Sequence, residues 1–65
     1  KTLKNGSKGE SVKWLQWELT RKGLPLTIDG IFGPATENAV RHLQNANMLV
    51  CDGIVGQKTI AALIE

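Results

Sequence analysis

Two stretches of this chain carry a single pattern. Asp29-Gly-Ile-Phe-Gly-Pro-Ala-Thr36 and Asp52-Gly-Ile-Val-Gly-Gln-Lys-Thr59 both read D-G-I-x-G-x-x-T, 23 positions apart. A period of that size marks a repeated supersecondary unit and leaves little room for anything else in 65 residues. Gly6-Ser-Lys-Gly9 is a weaker echo of the G-x-x-G step, with Val12 standing where Thr36 and Thr59 stand. The chain is therefore expected to turn into a regular element three times in the same manner.

The residues after each turn have the spacing of a helix. Val12, Leu15, Gln16 and Leu19 fall at i, i+3, i+4 and i+7, one face of an amphipathic helix running from Glu10 to Lys22. Glu10 in its first turn and Arg21 and Lys22 in its last complement the helix dipole. Gly23 supplies the left-handed stop, and Pro25 prevents resumption. Leu24 to Ile28 reads as a connection with Leu26 and Ile28 pointing inward. Gly33-Pro34 opens a second helix, since proline at the first helical position gives up an N–H that would have no partner there. Thr36, Ala39, Val40 and Leu43 line its buried face, and it runs to about Asn47. Met48 to Cys51 repeats the apolar lead-in. A third helix, Gln57 to Ile64, buries Thr59, Ala62 and Leu63 and is too short to stand without packing on the other two. The fold class is all-α, a small three-helix bundle with two repeated Asp-Gly-x-x-Gly turn-helix units, and residues 1–65 form one domain.

The repeated residues have an architectural reading. Asp29-Gly30 and Asp52-Gly53 reverse the chain, while Gly33 and Gly56 place a helix start beside each turn. The two carboxylates are positioned to accept bonds from unpaired backbone N–H groups. The Ile or Phe between the glycines plugs the core. Cys51, which replaces Ile28 between the repeats, reads as a small buried apolar residue. Gln16 and Gln44 read as bonding local backbone at the edge of the core.

Several function classes drop out. Eight basic against six acidic residues give +2, and the basic residues are scattered, so nucleic acid is not expected as a partner. Glu37 and Asn38 stand where a basic recognition helix would have to begin. No apolar run approaches the ~20 residues that cross a bilayer, and no membrane partner is expected. One histidine, His42, and one cysteine, Cys51, cannot furnish a zinc site of about four ligands. His42 reads as a solvated or interface residue on the flank of the second helix. Glu10, Glu18 and Glu37 fall on helix surfaces and do not form a carboxylate pair for glycoside hydrolysis. The Gly-x-x-Gly steps lack the Gly-Lys-Ser/Thr ending of a phosphate loop. No cofactor, no metal and no catalysis are expected. The chain reads as a module cut from a longer protein, with any targeting segment outside it.

The order and spacing of these residues carry a resemblance. Leu3-x-x-Gly6-x-x-Gly9-x-x-Val12-x-x-Leu15-Gln16-x-x-Leu19-x-x-x-Gly23 continues as Asp29-Gly30-x-Phe32-Gly33-Pro34-x-Thr36-x-x-Ala39-Val40-x-x-Leu43-Gln44, then Asp52-Gly53-x-Val55-Gly56-x-x-Thr59. Over essentially its whole length the chain resembles the type 1 peptidoglycan-binding domain family. That resemblance implies a non-catalytic, three-helix anchor holding a covalently linked amidase, peptidase or glycosidase of bacterial or phage origin on peptidoglycan. It also implies a wall-associated or extracellular location, and the module is expected to act as a monomer.

The tryptophans are not explained by the repeat. With Val12 at zero and ~100° per residue, Trp14, Trp17 and Arg21 fall on the side of the first helix opposite its core stripe, Trp14 and Arg21 almost aligned. The resembled family leaves these positions variable and commonly polar. An exposed indole stacks on a sugar face, and Arg21 offers a forked, charge-assisted pair to a carboxylate of a muramyl group or stem peptide. Asn38 and Arg41 on the outer side of the second helix extend this candidate surface. Three readings stand side by side: a wall-ligand surface, an interface with the linked domain that would make the chain an intramolecular docking module, or packing of the indoles within this module.

Overall fold

A computed structural model describes residues 2–64 of the chain. Three helices, α1 (Glu10–Arg21), α2 (Pro34–Ala46) and α3 (Gln57–Ile64), pack pairwise in a body 27 × 21 × 19 Å across. Each begins where the sequence pattern places it. Pro34 occupies the first helical position of α2, behind Gly33 in extended conformation. The core is built from Val12, Leu15 and Leu19 of α1, Ala39, Val40 and Leu43 of α2, and Leu63 of α3, all buried. Phe32 and Val55, one from each repeat loop, complete it together with Leu3.

The weak third echo has a different job from the other two. Residues 3–9 run across both loops and bond to each. Leu3 and Val55 exchange N–H···O bonds of 3.1 and 2.7 Å, while Gly6 N–H donates to Phe32 O (2.9 Å) and Phe32 N–H to Ser7 O (2.9 Å). Gly9 N–H then donates to Gly30 O at 3.0 Å, just before α1 begins. These are isolated antiparallel contacts without a named strand among the described residues. They stitch the start of the chain to both turns and so close the bundle at one end.

Inside, each loop is held by one buried glutamine. Gln16 of α1 directs Nε2 at Asp29 Oδ1 (3.0 Å), Ile31 O (3.0 Å) and Thr36 Oγ1 (3.1 Å), and its Oε1 accepts from Gly30 N–H (2.9 Å). Gln44 of α2 repeats the set on the second loop, with Asp52 Oδ1 (3.0 Å), Ile54 O (3.0 Å), Thr59 Oγ1 (3.2 Å) and Gly53 N–H (3.1 Å). A side-chain amide has two hydrogens, so three acceptors within reach means one hydrogen is shared. Each glutamine thus joins the preceding helix, the turn and the next helix through one planar group. Gly30 and Gly53 sit in the left-handed region at φ 77 and 73°, and a Cβ on Gly53 would lie 2.8 Å from Glu37 Cγ. Here glycine is required for both conformation and space.

The repeat aspartates accept backbone bonds, as the sequence suggests, but inside their own turns and not from the helix start, α2 having no side-chain cap. Ile31 N–H and Ile54 N–H donate to Asp29 Oδ1 (2.9 Å) and Asp52 Oδ1 (3.0 Å). The Gln16 amide, followed by the Ile31 N–H, holds the Asp29 carboxyl below its ordinary value. At Asp52 the Ile54 N–H lowers it most, with Gln44 helping against a partial opposing effect of desolvation. Glu37 is lowered in turn, chiefly by the amide of Asn5 and then by Arg41.

Five expectations need correction. Ile28 is exposed (42%), and only Leu24 and Leu26 of its segment pack on the core. The connection has no ladder bonds, so nothing enforces a two-residue alternation along it. Cys51, at the equivalent place before Asp52, is exposed for the same reason, and the inward residue of that lead-in is Leu49. In each loop the second apolar residue plugs the core, Phe32 and Val55, while Ile31 and Ile54 face outward. Glu18 is buried (7%) and not on the helix surface, with Arg21 Nη1 2.7 Å from its carboxylate. Ala62 is only half-buried; Thr59 and Leu63 carry the packing of α3.

Three outcomes are expected. Replacing either clamp, Gln16→Ala or Gln44→Ala, leaves buried loop groups unpaired at about 1–3 kcal/mol each. A total near 3 kcal/mol corresponds to a drop in Tm of more than about 10 °C for a domain of this size, measurable by circular dichroism. Met48 ends α2 at φ 59°, the role that Gly23 fills for α1 at φ 89°. Met48 is 94% exposed, so Met48→Gly forfeits no packing. It should raise the urea midpoint by up to about 1 kcal/mol of stability, whereas Gly23→Met should lower it. Finally, carboxyls lowered on folding stabilise fully above their unfolded value near 4 and lose that contribution as pH falls through the folded value. Tm should therefore be level from pH 7 to about 5 and fall below about 4. The decline should be shallower, though not abolished because Glu37 remains, in the double variant Asp29→Asn/Asp52→Asn.

Candidate ligand-binding surfaces

The outer face of α1 carries its two indoles on rigid helix, Trp14 at 38% and Trp17 at 52% exposure. Arg21 lies one turn beyond Trp17, and its guanidinium carbon sits 5.2 Å from the centre of the Trp17 ring. The same guanidinium donates to Glu18. Position i+4 puts the arginine over Trp17, a pairing that the near-alignment of Trp14 with Arg21 did not bring out. Glu18 and Trp17 together hold Arg21 in place and leave more than half of its side chain open to solvent.

Trp14 has different company. It borders a largely apolar groove of about 210 Å³ with Leu3, Ser11 and Ile60, where the N-terminal segment, α1 and α3 meet. Asn38 and Arg41 line a shallow depression of about 320 Å³ with His42, Asn45 and Cys51 on the outside of α2. Arg41 is partly engaged there: Nη2 donates to Glu37 Oε2 at 3.1 Å, and Glu37 Oε1 accepts from Asn5 Nδ2 at 3.1 Å. The structure therefore joins Trp17 with Arg21, and Asn38 with Arg41. The groove beside Trp14 and the depression beside Arg41 share no residue.

Two further hollows were not anticipated, one beside each repeat loop. The first, about 390 Å³, lies between the connection at Leu26, the turn at Asp29 and Ile31, and the first turn of α2 at Thr36. The second, about 530 Å³, lies between Leu49, Asp52, Ile54 and the first turn of α3 at Thr59, with Lys58 on its wall. Its rim carries Met48 and Val50, both strongly exposed. The signal in the sequence was the repeat itself: two like turns, each followed by a helix start, make two hollows in corresponding places. Among the described residues no three of His, Cys, Asp and Glu converge as metal ligands.

The comparisons with known proteins agree on one family. A family model described as "Putative peptidoglycan binding domain" matches residues 8–63. The zinc D-Ala-D-Ala carboxypeptidase of Streptomyces albus G is 48% identical over 67 aligned positions, which cover 98% of this chain and 26% of that protein. The endolysin of Burkholderia AP3 phage superposes with a TM-score of 0.94 at 46% identity, covering 97% of this chain and 24% of the endolysin. A fused Zn-dependent amidase/peptidase/peptidoglycan-binding domain-containing protein of Clostridium acetobutylicum ATCC 824 gives 0.97 at 40% identity, covering 100% and 29%. The chain spans about a quarter of the length of these relatives. With sequence pattern, three-helix architecture and family model in agreement, this chain belongs to the peptidoglycan-binding domain family.

Proposed function

We propose that the chain is a non-catalytic module that binds peptidoglycan through the outer face of α1 and so keeps a covalently linked wall hydrolase on its polymer. The observation that supports this face is the Trp17–Arg21 pair. An indole held on a helix and braced by a guanidinium loses little conformational freedom when a sugar ring stacks on it. Its charged neighbour stays open to pair with a ligand carboxylate. Trp14 and, on α2, Asn38 and Arg41 extend the contact. Asp29, Gly30, Gly33, Asp52, Gly53 and Gly56 serve the scaffold in this reading. The linked enzyme is an amidase, peptidase or glycosidase, and the module works as a monomer, at the wall or outside the cell, without nucleic acid or membrane as partner.

One observation favours a second reading, docking onto the linked domain. The groove beside Trp14 is lined mainly by apolar atoms, which suits a protein surface better than a hydrated glycan.

Sedimentation with insoluble sacculi tests the proposal. Trp17→Ala should lower the bound fraction by roughly five- to tenfold in apparent affinity, the size of one lost stacking contact. Its Tm should move by no more than about 4 °C, as expected for an exposed position. Equal binding by Trp14→Ala/Trp17→Ala would remove the aromatic face as the wall contact. A Trp fluorescence change produced by the isolated neighbouring domain, and not by sacculi, would favour docking.

A further inference from the structure

The two hollows beside the repeat loops share a design that the scaffold alone does not use up. Each is walled by the same five positions: Gln16 and Gln44, Asp29 and Asp52, Ile31 and Ile54, Gly33 and Gly56, Thr36 and Thr59. Within each, the glutamine amide and the isoleucine N–H both bond to Oδ1 of the aspartate. These bonds converge on Oδ1 in both loops, and both aspartates are exposed. Each aspartate thus lines its hollow with an oxygen that the clamp does not use, beside an outward-facing isoleucine that the core does not need.

We infer that the hollows are two equivalent subsites for the peptide part of peptidoglycan, each taking the free ammonium of a diamino-acid side chain on Asp Oδ2 and neighbouring methyl groups on its apolar wall. This rests on the reading of the chain as a wall-binding module and adds to it which part of the polymer is recognised, and how many times. Charge selects the occupant. The first hollow has Asp29 and no Lys or Arg in its lining, which fits an ammonium and disfavours an anion. At the second, Asp52 has Lys58 and Arg41 nearby. The stem peptide is where peptidoglycan carries amines flanked by alanine methyls. A sugar offers hydroxyls but no cation. Volumes of about 390 and 530 Å³ admit a few residues of peptide each. The second subsite differs by Lys58, which gives it a partner for the carboxylate such a peptide also carries. Two weak subsites on one small body would let successive stem peptides of the same polymer bind together and raise the apparent affinity without new contacts.

The experiment is amide chemical-shift mapping of the labelled chain with the synthetic tripeptide L-Ala–γ-D-Glu–L-Lys and with its Nε-acetyl form. The expected result is shifts at Ile31 and Thr36 and, separately, at Ile54 and Thr59, with the acetylated form at least about tenfold weaker for loss of a charged hydrogen bond. Asp29→Asn should silence the first set only and Asp52→Asn the second only. Asparagine keeps the Oδ1 acceptor, so the clamp survives, and the acetylation arm needs no variant at all. Equal binding of the acetylated peptide, or shifts confined to α1, would overturn the inference. Sedimentation of the unaltered chain with sacculi separates the two levels. A chain that sediments while both hollows stay silent refutes the subsites alone, whereas a chain that does not sediment refutes the module's reading as well.

Discussion

A single side-chain amide, used twice, decides how this chain can pack. A bundle of three short helices gains too little from any one contact to fix the path of its connections, and about 60% burial is all a chain this size achieves. Gln16 and Gln44 solve this by converting each connection into part of the core. Each buries a polar group that would be costly alone and supplies it with partners on the turn and on the following helix. No buried side-chain polar atom is left without a partner among the described residues. Because the loops are pinned from inside, the plugs Phe32 and Val55 enter the core at defined positions, and the N-terminal segment finds two fixed edges to bond.

This arrangement explains how so small a body leaves large side chains exposed. The interior of α1 is spent on Val12, Leu15, Gln16 and Leu19, with Glu18 also buried, while Trp17 and Arg21 pair on its outer side. The loops likewise spend one face on the core and one oxygen of each aspartate on the clamp. What remains is the indole–guanidinium pair on α1 and two hollows, each lined by a repeat aspartate. Membership of the peptidoglycan-binding domain family rests on the whole pattern of the chain rather than on any one of these surfaces.

Much of the fold was legible because it is written in spacing. The duplicated octapeptide located two turns and two helix starts, and the apolar period gave the buried face of α1 and α2 residue by residue. The clamp was harder to read. Gln16 and Gln44 lie 28 positions apart while Asp29 and Asp52 lie 23 apart, so the glutamines fall out of register with the repeat. The structural reason is that α1 continues more than a turn past Gln16, whereas α2 ends two residues after Gln44. Ile28 and Cys51 misled because an apolar residue before a turn implies burial only if something fixes its orientation. Glu18 misled because a helical wheel places it on a flank without showing that Arg21 closes over it. On the functional side the wheel separated Trp14 and Trp17 from the core, but only the structure could show that Arg21 braces Trp17 and that Trp14 faces a groove shared with α3.

Whether the glutamines hold both loops from within can be read out by amide hydrogen exchange. Gly30 and Gly53 N–H groups belong to turns, where exchange is ordinarily fast, yet each donates to a buried glutamine oxygen. Both are expected to exchange only on global unfolding, as slowly as the slowest amides of α1 and α2. Exchange of either glycine at the rate of an open surface loop would show that the clamps are incidental to the fold.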